Sequence, residues 1–569
     1  MNIENLREGN EVYKKILDIQ PTIALVNEQA YSSGLIQLYL DAGYKAIVME
    51  WDNPAHFNPE WNPDWRYYPQ YACSQNGKRI ALIWNNSIAF QKFQRYSHNE
   101  IELDEYLEYL VTHLSAPKRL LPLYGNDVEI FDFRPGRFHT EANLGKKSEW
   151  LRIEKLFSTI SDDNRFELIS PSKVLTMLKL PDAGNDLCLE SPECPIPVKK
   201  QGKYNITRWA VTGRDDLSIN SACWRIYETL KGNADTSKKD WKELCYLWSS
   251  DFRTHITIKR WEDYCERLMD FEKQVVSRKI KVVLNDYGRI NRVSVLIRKD
   301  VKLEKQGRYL TVETDSVRIC FNCQRGLAID RLWFKDISND PLIGTLKHGY
   351  YDDISLGVDL YSGHFIFETP GKPKVTDLNP VTPLISGQND GPFVIVSAKI
   401  PTIMGTVHKS YYISKETSIV KLCYTFDWQE IPVGSLRLGH LTLIPSSFDH
   451  NSLFFRSHNG GTQSETFMLK NYNFDHGSAV SFLVSAGCAV GMTEKKIELG
   501  DSQYFIGLTV DKGMGAFIGM LTYRITKDTY FYRLALSVSE MDDTSRHKSS
   551  FGVIKPFDFS LTLFSKTFN

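Results

Sequence analysis

The stretch Leu121-Pro-Leu-Tyr-Gly-Asn-Asp-Val-Glu-Ile-Phe-Asp-Phe-Arg-Pro-Gly-Arg-Phe138 concentrates polar chemistry directly after a short apolar run. Leu120 to Tyr124 reads as a buried strand, and Gly125 with Asn126 ends it. Asp127, Glu129 and Asp132 follow, with Arg134 and Arg137 nearby and Phe131, Phe133 and Phe138 between them. Carboxylates at i and i+2 beside arginines, at the C-terminal end of a strand, suit acid–base chemistry on a polar substrate. The competing reading is an arginine–carboxylate network that braces a loop.

Working outward, other short apolar runs end in the same way. Residues 22 to 26 (TIALV) read as a buried strand ending at Asn27-Glu28, and 34 to 43 as a short helix closed by Gly43. Lys45 to Met49 reads as the next strand and ends at Glu50-Trp51, and Arg79 to Trp84 as a third. Between them lies an aromatic, proline-rich loop from Pro54 to Gln70, too rich in Trp and Tyr for a disordered segment. Residues 100 to 114 carry apolar side chains at helical spacing with acids in the first turn, which predicts an amphipathic helix. Phe166 to Ser170 is a further strand candidate. Alternating strands and helices with continuously apolar strands imply a parallel sheet covered by helices, and Glu28, Glu50 and Asp127 then share the C-terminal rim of a β/α barrel.

Tyr124 to Phe131 resembles the Asp-x-Glu-x-Phe motif of glycoside hydrolase family 57, and Leu25 to Tyr31 resembles an earlier motif of that family. The resemblance spans about residues 20 to 275 and implies a retaining α-glycosidase or glucanotransferase with Asp127 as general acid/base. It implies that Glu129 and Arg134 tune Asp127 and orient substrate, with Glu28 and Trp51 beside them. Lys203 to Trp209 resembles a later motif with a tryptophan at the sugar site, and Ser249 to His255 a helical segment that presents Asp251 and His255 to substrate. The family's nucleophile is commonly a glutamate just before the strand read at Arg79 to Trp84; here Gln70, Cys73 and Ser74 stand there and no acid occurs between Asp64 and Glu100. Glu50 is therefore the favoured nucleophile, with Glu28 behind it. The family's opening His motif is missing, so the resemblance implies a (β/α)7-type barrel, complete or lacking its first strands.

At 569 residues the chain needs more than one core. Ten of its twelve tryptophans lie at or before Trp261, which places a composition break near residue 280. Beyond it, runs such as VSVLI (293 to 297), YLTVE, VRICF, FVIVSAKI and IVKLCYTF alternate between turn residues, the signature of antiparallel sheets. The expected organisation is multidomain α/β plus all-β: a barrel catalytic domain over 1–190, a helical region over 200–280 that completes the active site, and a large antiparallel β-sandwich over 285–569. Gly349 to His364, rich in Asp and Tyr, is the sandwich segment with most polar chemistry.

Lys plus Arg and Asp plus Glu number 69 each, which gives no support for a nucleic-acid partner. No apolar run is long enough for a membrane span, and the opening MNIENLREGNEVYKK lacks the apolar centre of a signal peptide. Ten scattered cysteines suit a reducing compartment and a cytoplasmic address; Cys320 and Cys323 form a lone CxxC with no second pair, so neither metal nor cofactor is expected. A deacetylase reading would need His-x-x-x-His, and no two of the thirteen histidines are so spaced. The partner expected is an oligo- or polysaccharide. A noncatalytic carbohydrate-binding or scaffold protein is the alternative.

Overall fold

The structure, a computed structural model, describes residues 1–116, 118–132, 148–199, 202–252, 256–286, 301–346, 361–387, 389, 391–527, 529–545 and 557–568. The chain forms two compact units: Gly9–Ser191 with Pro197–Tyr204, and Met1–Glu8, Pro192–Ile196 and Asn205–Asn569. No helix among the described residues is long and apolar enough to cross a membrane.

The first unit is built on a five-stranded sheet of β1 (Ile23–Leu25), β2 (Ala46–Glu50), β3 (Gln70–Cys73), β4 (Arg79–Asn85) and β5 (Asp186–Leu187). Its strand order is β1-β2-β4-β3-β5. The three runs read as strands pair in parallel, β1 on β2 and β2 on β4; β2 and β4 are buried along most of their length, whereas β1 is an edge strand whose Leu25 is exposed. The amphipathic helix forms over Leu103–Val111 and packs with helices Ser87–Ser97 and Glu149–Asp162 around Phe93, Tyr106, Leu110 and Leu156.

Two strand expectations fail here. Leu120 to Tyr124 belongs to no strand, and one backbone bond, Leu120 N–H to the Tyr67 carbonyl at 3.2 Å, anchors its start. Both edges of β4 are already taken, one by β2 and the other by β3, which runs antiparallel to it as a hairpin. The turn of that hairpin contains Asn76-Gly77, with Gly77 at φ 80° and Ser74 N–H on the Lys78 carbonyl at 2.8 Å. Pro122 also lacks the N–H a central strand needs. Residues 166 to 170 likewise form no strand. Among the described residues the sheet is open and mixed, and no pairing joins β1 to β5.

The second unit carries the helices Asp216–Lys231, Lys238–Leu247 and Ile258–Asp286, then three antiparallel sheets of five, six and nine strands. Tyr309–Glu313, Val317–Asn322, Phe393–Thr402 and Ile419–Phe426 are strands as read, and the last alternates buried and half-buried residues along its whole length. One apolar core draws on all three sheets, through residues such as Phe321, Leu436 and Leu422. The VSVLI run and positions 349 to 360 lie outside the described residues.

Lys409 and Asp377 meet inside this unit at 2.8 Å with both side chains wholly buried. Lys409 Nζ also donates to the Gly326 carbonyl at 2.8 Å. Gly326 sits at φ +56°, and a Cβ there would lie 1.6 Å from the Asp377 carbonyl oxygen. Breaking a buried pair leaves one charge uncompensated. Lys409→Met is therefore expected to lower the stability of this unit by about 3–5 kcal/mol in urea unfolding. The double variant Asp377→Leu/Lys409→Met should recover most of that loss.

Candidate active site

The parallel strands β1, β2 and β4 end side by side, which brings Glu28, Glu50 and Asn85 to one edge of the first unit's sheet. Glu50 is the last residue of β2 and stands in register with Asn85, the last of β4. Asn86 caps the helix Ser87–Ser97 through its side chain, so the first N–H of that helix, on Ser87, is free to donate to Glu50 Oε1 at 3.2 Å. The other Glu50 oxygen has no hydrogen-bond partner among the described residues, and the side chain has no exposed surface. Burial pushes its carboxyl up to about 7 against an ordinary 4.5, while the Ser87 hydrogen bonds pull the other way. Burial prevails.

Trp51, next in the chain, is buried against two other indoles, Trp84 at 4.9 Å and Trp61 at 5.7 Å between ring centroids. The aromatic loop is thus folded back on the end of β2 and β4. Gln70, where the resemblance looks for a glutamate, is buried with its amide committed to the backbone of Trp65, Asp182 and Asn185. It braces a loop.

Asp127 reaches the same edge through its backbone. Asn85 Nδ2 donates to the Gly125 carbonyl at 2.8 Å, and a Cβ on Gly125 would lie 2.4 Å from Asn85 Oδ1. Asp127 itself is exposed at the head of a short 3-10 turn, Val128–Ile130, and its carboxylate makes no capping hydrogen bond to that turn. The Tyr124 hydroxyl donates to the Asp127 carbonyl at 2.6 Å. The motif's far end is pinned by Phe131, buried between Phe93, Tyr124 and Trp150. Asp132 closes the turn: its N–H donates to Glu149 Oε2 at 2.6 Å, and Glu149 N–H donates to Asp132 Oδ1 at 2.7 Å. Glu149 in turn meets His98 Nδ1 at 2.9 Å. Phe131 and, just beyond the motif, Asp132 are anchors, while Asp127 is exposed.

Glu28 lies on this edge at φ 51°, beside Gln29 at φ 58°, and its carboxylate is held by Lys199 Nζ at 2.6 Å. Of the other expected site residues, the side chain of Glu129 and the whole of Arg134 and His255 lie outside the described residues. Trp209 and Asp251 belong to the second compact unit. Trp209 is half-buried in a π-helical turn, Arg208–Thr212, and Asp251 is exposed with Ser249 Oγ on its carboxylate at 3.2 Å. Asn85, Ser87 and Lys199 escaped the sequence reading. Asn85-Asn86-Ser87 after an apolar strand is a strand-to-helix signature and marked this corner; nothing local marked Lys199. Among the described residues no three His, Cys, Asp or Glu side chains gather as a metal site.

The model of glycosyl hydrolase family 57 matches residues 2–185, the segment that holds Glu28, Glu50, Trp51 and Asp127. That match is confined to residues 2–185 of the 569. An α-mannosidase from Enterococcus faecalis V583 has a similar fold, with TM-score 0.56 and 8% identity over 100% of this chain and 76% of that chain. A 4-α-glucanotransferase from Thermococcus litoralis aligns over 98% of this chain and 84% of its own at 11% identity, with TM-score 0.35. No curated protein sequence matches the chain. The family 57 segment thus sits on a mixed α/β sheet and is followed by large antiparallel sheets.

Two outcomes test this geometry. Glu50 binds its proton more tightly folded than unfolded, so stability is fully present below about pH 4.5 and falls as pH rises toward 7. Glu50→Gln should flatten that slope in urea unfolding between pH 4 and 8, and gain most over wild type above pH 7. Gly125→Ala drives a methyl into Asn85 and should lower any turnover about tenfold or more through displacement of Asp127, with circular dichroism unchanged.

Proposed function

We propose that this chain is a glycoside hydrolase or transglycosidase acting on α-linked oligo- or polysaccharides by a retaining, two-carboxylate mechanism. The single observation that carries the reading is Asp127, exposed at the head of its turn and tied through Gly125 to the strand edge that holds Glu50. Asp127 protonates the glycosidic oxygen while Glu50 attacks the anomeric carbon; the leaving sugar departs and a covalent glycosyl ester forms on Glu50. Asp127 then takes a proton from water or from an acceptor sugar hydroxyl, which displaces Glu50 and restores the configuration. Water gives hydrolysis and a sugar gives transfer. Glu129 and Arg134 orient substrate and tune Asp127, and Glu28 and Trp51 line the sugar site. The organisation we assign is a barrel-derived catalytic domain over 1–190, a helical region over 200–280 and a β-sandwich over 285–569. A reducing, cytoplasmic setting fits the cysteine usage.

One observation favours a second reading. Glu50 has no exposed surface, so attack requires substrate binding to open the pocket around it. A carboxyl that stays buried and near pH 7 half-protonated would leave a carbohydrate-binding protein without turnover.

The test is a screen of α- and β-linked glucans, galactans and mannans against wild type and Asp127→Asn. Turnover confined to α-linked substrates, lowered about 10²–10⁴-fold in Asp127→Asn with saccharide binding retained, is the expected result. Activity on β-linked substrates alone would overturn the linkage assignment, and binding without turnover in both proteins would establish the second reading.

A further inference from the structure

A cavity of about 610 Å³ opens on the outer face of the six-stranded sheet in the second unit. The sheet's order is Val375–Thr376, Ile366–Glu368, Ser435–Thr442, Tyr530–Ser539, Ile518–Ile525 and Phe474–Asp475. Strand pleating explains the lining: Ser435 and Arg437, then Phe531, Arg533 and Ala535, then Met520, Thr522 and Arg524 alternate onto this face. Their neighbours Leu436, Leu534, Leu521 and Tyr523 enter the apolar core.

The polar groups of this face are held in fixed positions. Arg437 donates from Nε to Glu540 Oε1 at 2.8 Å and from its two terminal nitrogens to the carbonyls of Gly477 and Ser485 at 3.0 and 2.9 Å. Arg524 meets Asp475 at 3.5 Å, and Thr522 Oγ1 donates to Asp475 Oδ1 at 3.0 Å. Lys374 pairs with Glu368. His440, 5% exposed, lines the cavity; its Nδ1 meets the His364 carbonyl at 3.2 Å, so the neutral ring carries its proton there and offers Nε2 as an acceptor. Burial and nearby Arg533 hold that ring neutral.

The rim is the opposite in character. Phe482, also in the lining, is 77% exposed on a loop closed by Val480 N–H on the Val484 carbonyl at 2.9 Å. An outward phenyl face above fixed donors and acceptors of both signs matches a pyranose ring, apolar on its face and hydroxylated at its edge. Three of the lining cations, Lys374, Arg437 and Arg524, already contact carboxylates, which favours a hydroxyl-rich ligand over a bare anion.

We propose that this cavity is a second saccharide site, binding a short oligosaccharide with one ring on Phe482 and hydroxyls on Asp475, Thr522 and His440. It lies in a different compact unit from Asp127 and requires no turnover there.

The test is calorimetric titration of the full chain, carrying Asp127→Asn to prevent turnover, with maltohexaose, an α-1,6-linked mannotriose and inorganic phosphate. At least one saccharide should bind, with affinity about tenfold weaker in Phe482→Ala and binding at this site lost in Ala479→Trp, which fills the mouth from an exposed loop position. Phe482 is exposed, so its truncation spares the fold. Binding of neither saccharide, saccharide affinity unchanged in both variants, or binding of phosphate alone would overturn the proposal. The readout is binding, so its failure is separate from failure of catalysis at Asp127.

Discussion

The hydrogen bond from Asn85 Nδ2 to the Gly125 carbonyl, 2.8 Å long, is the constraint on which the candidate site depends. Residues 120 to 126 enter no sheet, so this side-chain bond does the positioning that a strand ladder does for Glu50. It works only because residue 125 has no Cβ to collide with the amide. At the other end of the motif, Phe131 in its aromatic cluster and the reciprocal Asp132–Glu149 bonds stop the turn from swinging. Asp127 is therefore an exposed carboxylate on a rigidly supported loop, the combination that general acid catalysis requires.

Glu50 shows two local effects in competition. The end of a parallel strand feeding a helix puts a backbone N–H opposite its carboxylate, which favours the ionised form. Complete burial opposes it and prevails, so the group titrates near neutrality. A carboxyl poised there serves proton transfer well and nucleophilic attack less well, since attack needs the charged form and access to the anomeric carbon. Both are supplied if substrate opens the site to solvent and brings its own polar groups.

Much of this was legible in the sequence because it rests on local pattern. The runs at 22 to 26, 45 to 49 and 79 to 84 are largely apolar on both faces, as parallel strands in a covered sheet are, and the acids Glu28 and Glu50 follow the first two. Alternation beyond residue 300 likewise announced the antiparallel sheets. The strand expected at 120 to 124 failed for a non-local reason: its apolar content was real, but the β3–β4 hairpin had taken the edge it needed. The Asn76-Gly77 turn was the available signal for that hairpin. Lys199 on Glu28 could not be read, because 171 residues separate the partners and neither position has a distinguishing neighbour. The outer face of the six-stranded sheet was hidden for the same reason, since its lining comes one or two residues at a time from strands far apart in sequence.

Trapping the glycosyl ester addresses the central claim most directly. The protein is incubated with a 5-fluoro-α-glycosyl fluoride, which forms the intermediate quickly and releases it slowly, then digested and mapped by mass spectrometry. The account predicts one added glycosyl group, on the peptide that contains Glu50, and its absence in Glu50→Gln. A label on any other carboxylate, or turnover of the reagent with no labelled peptide, would contradict the account.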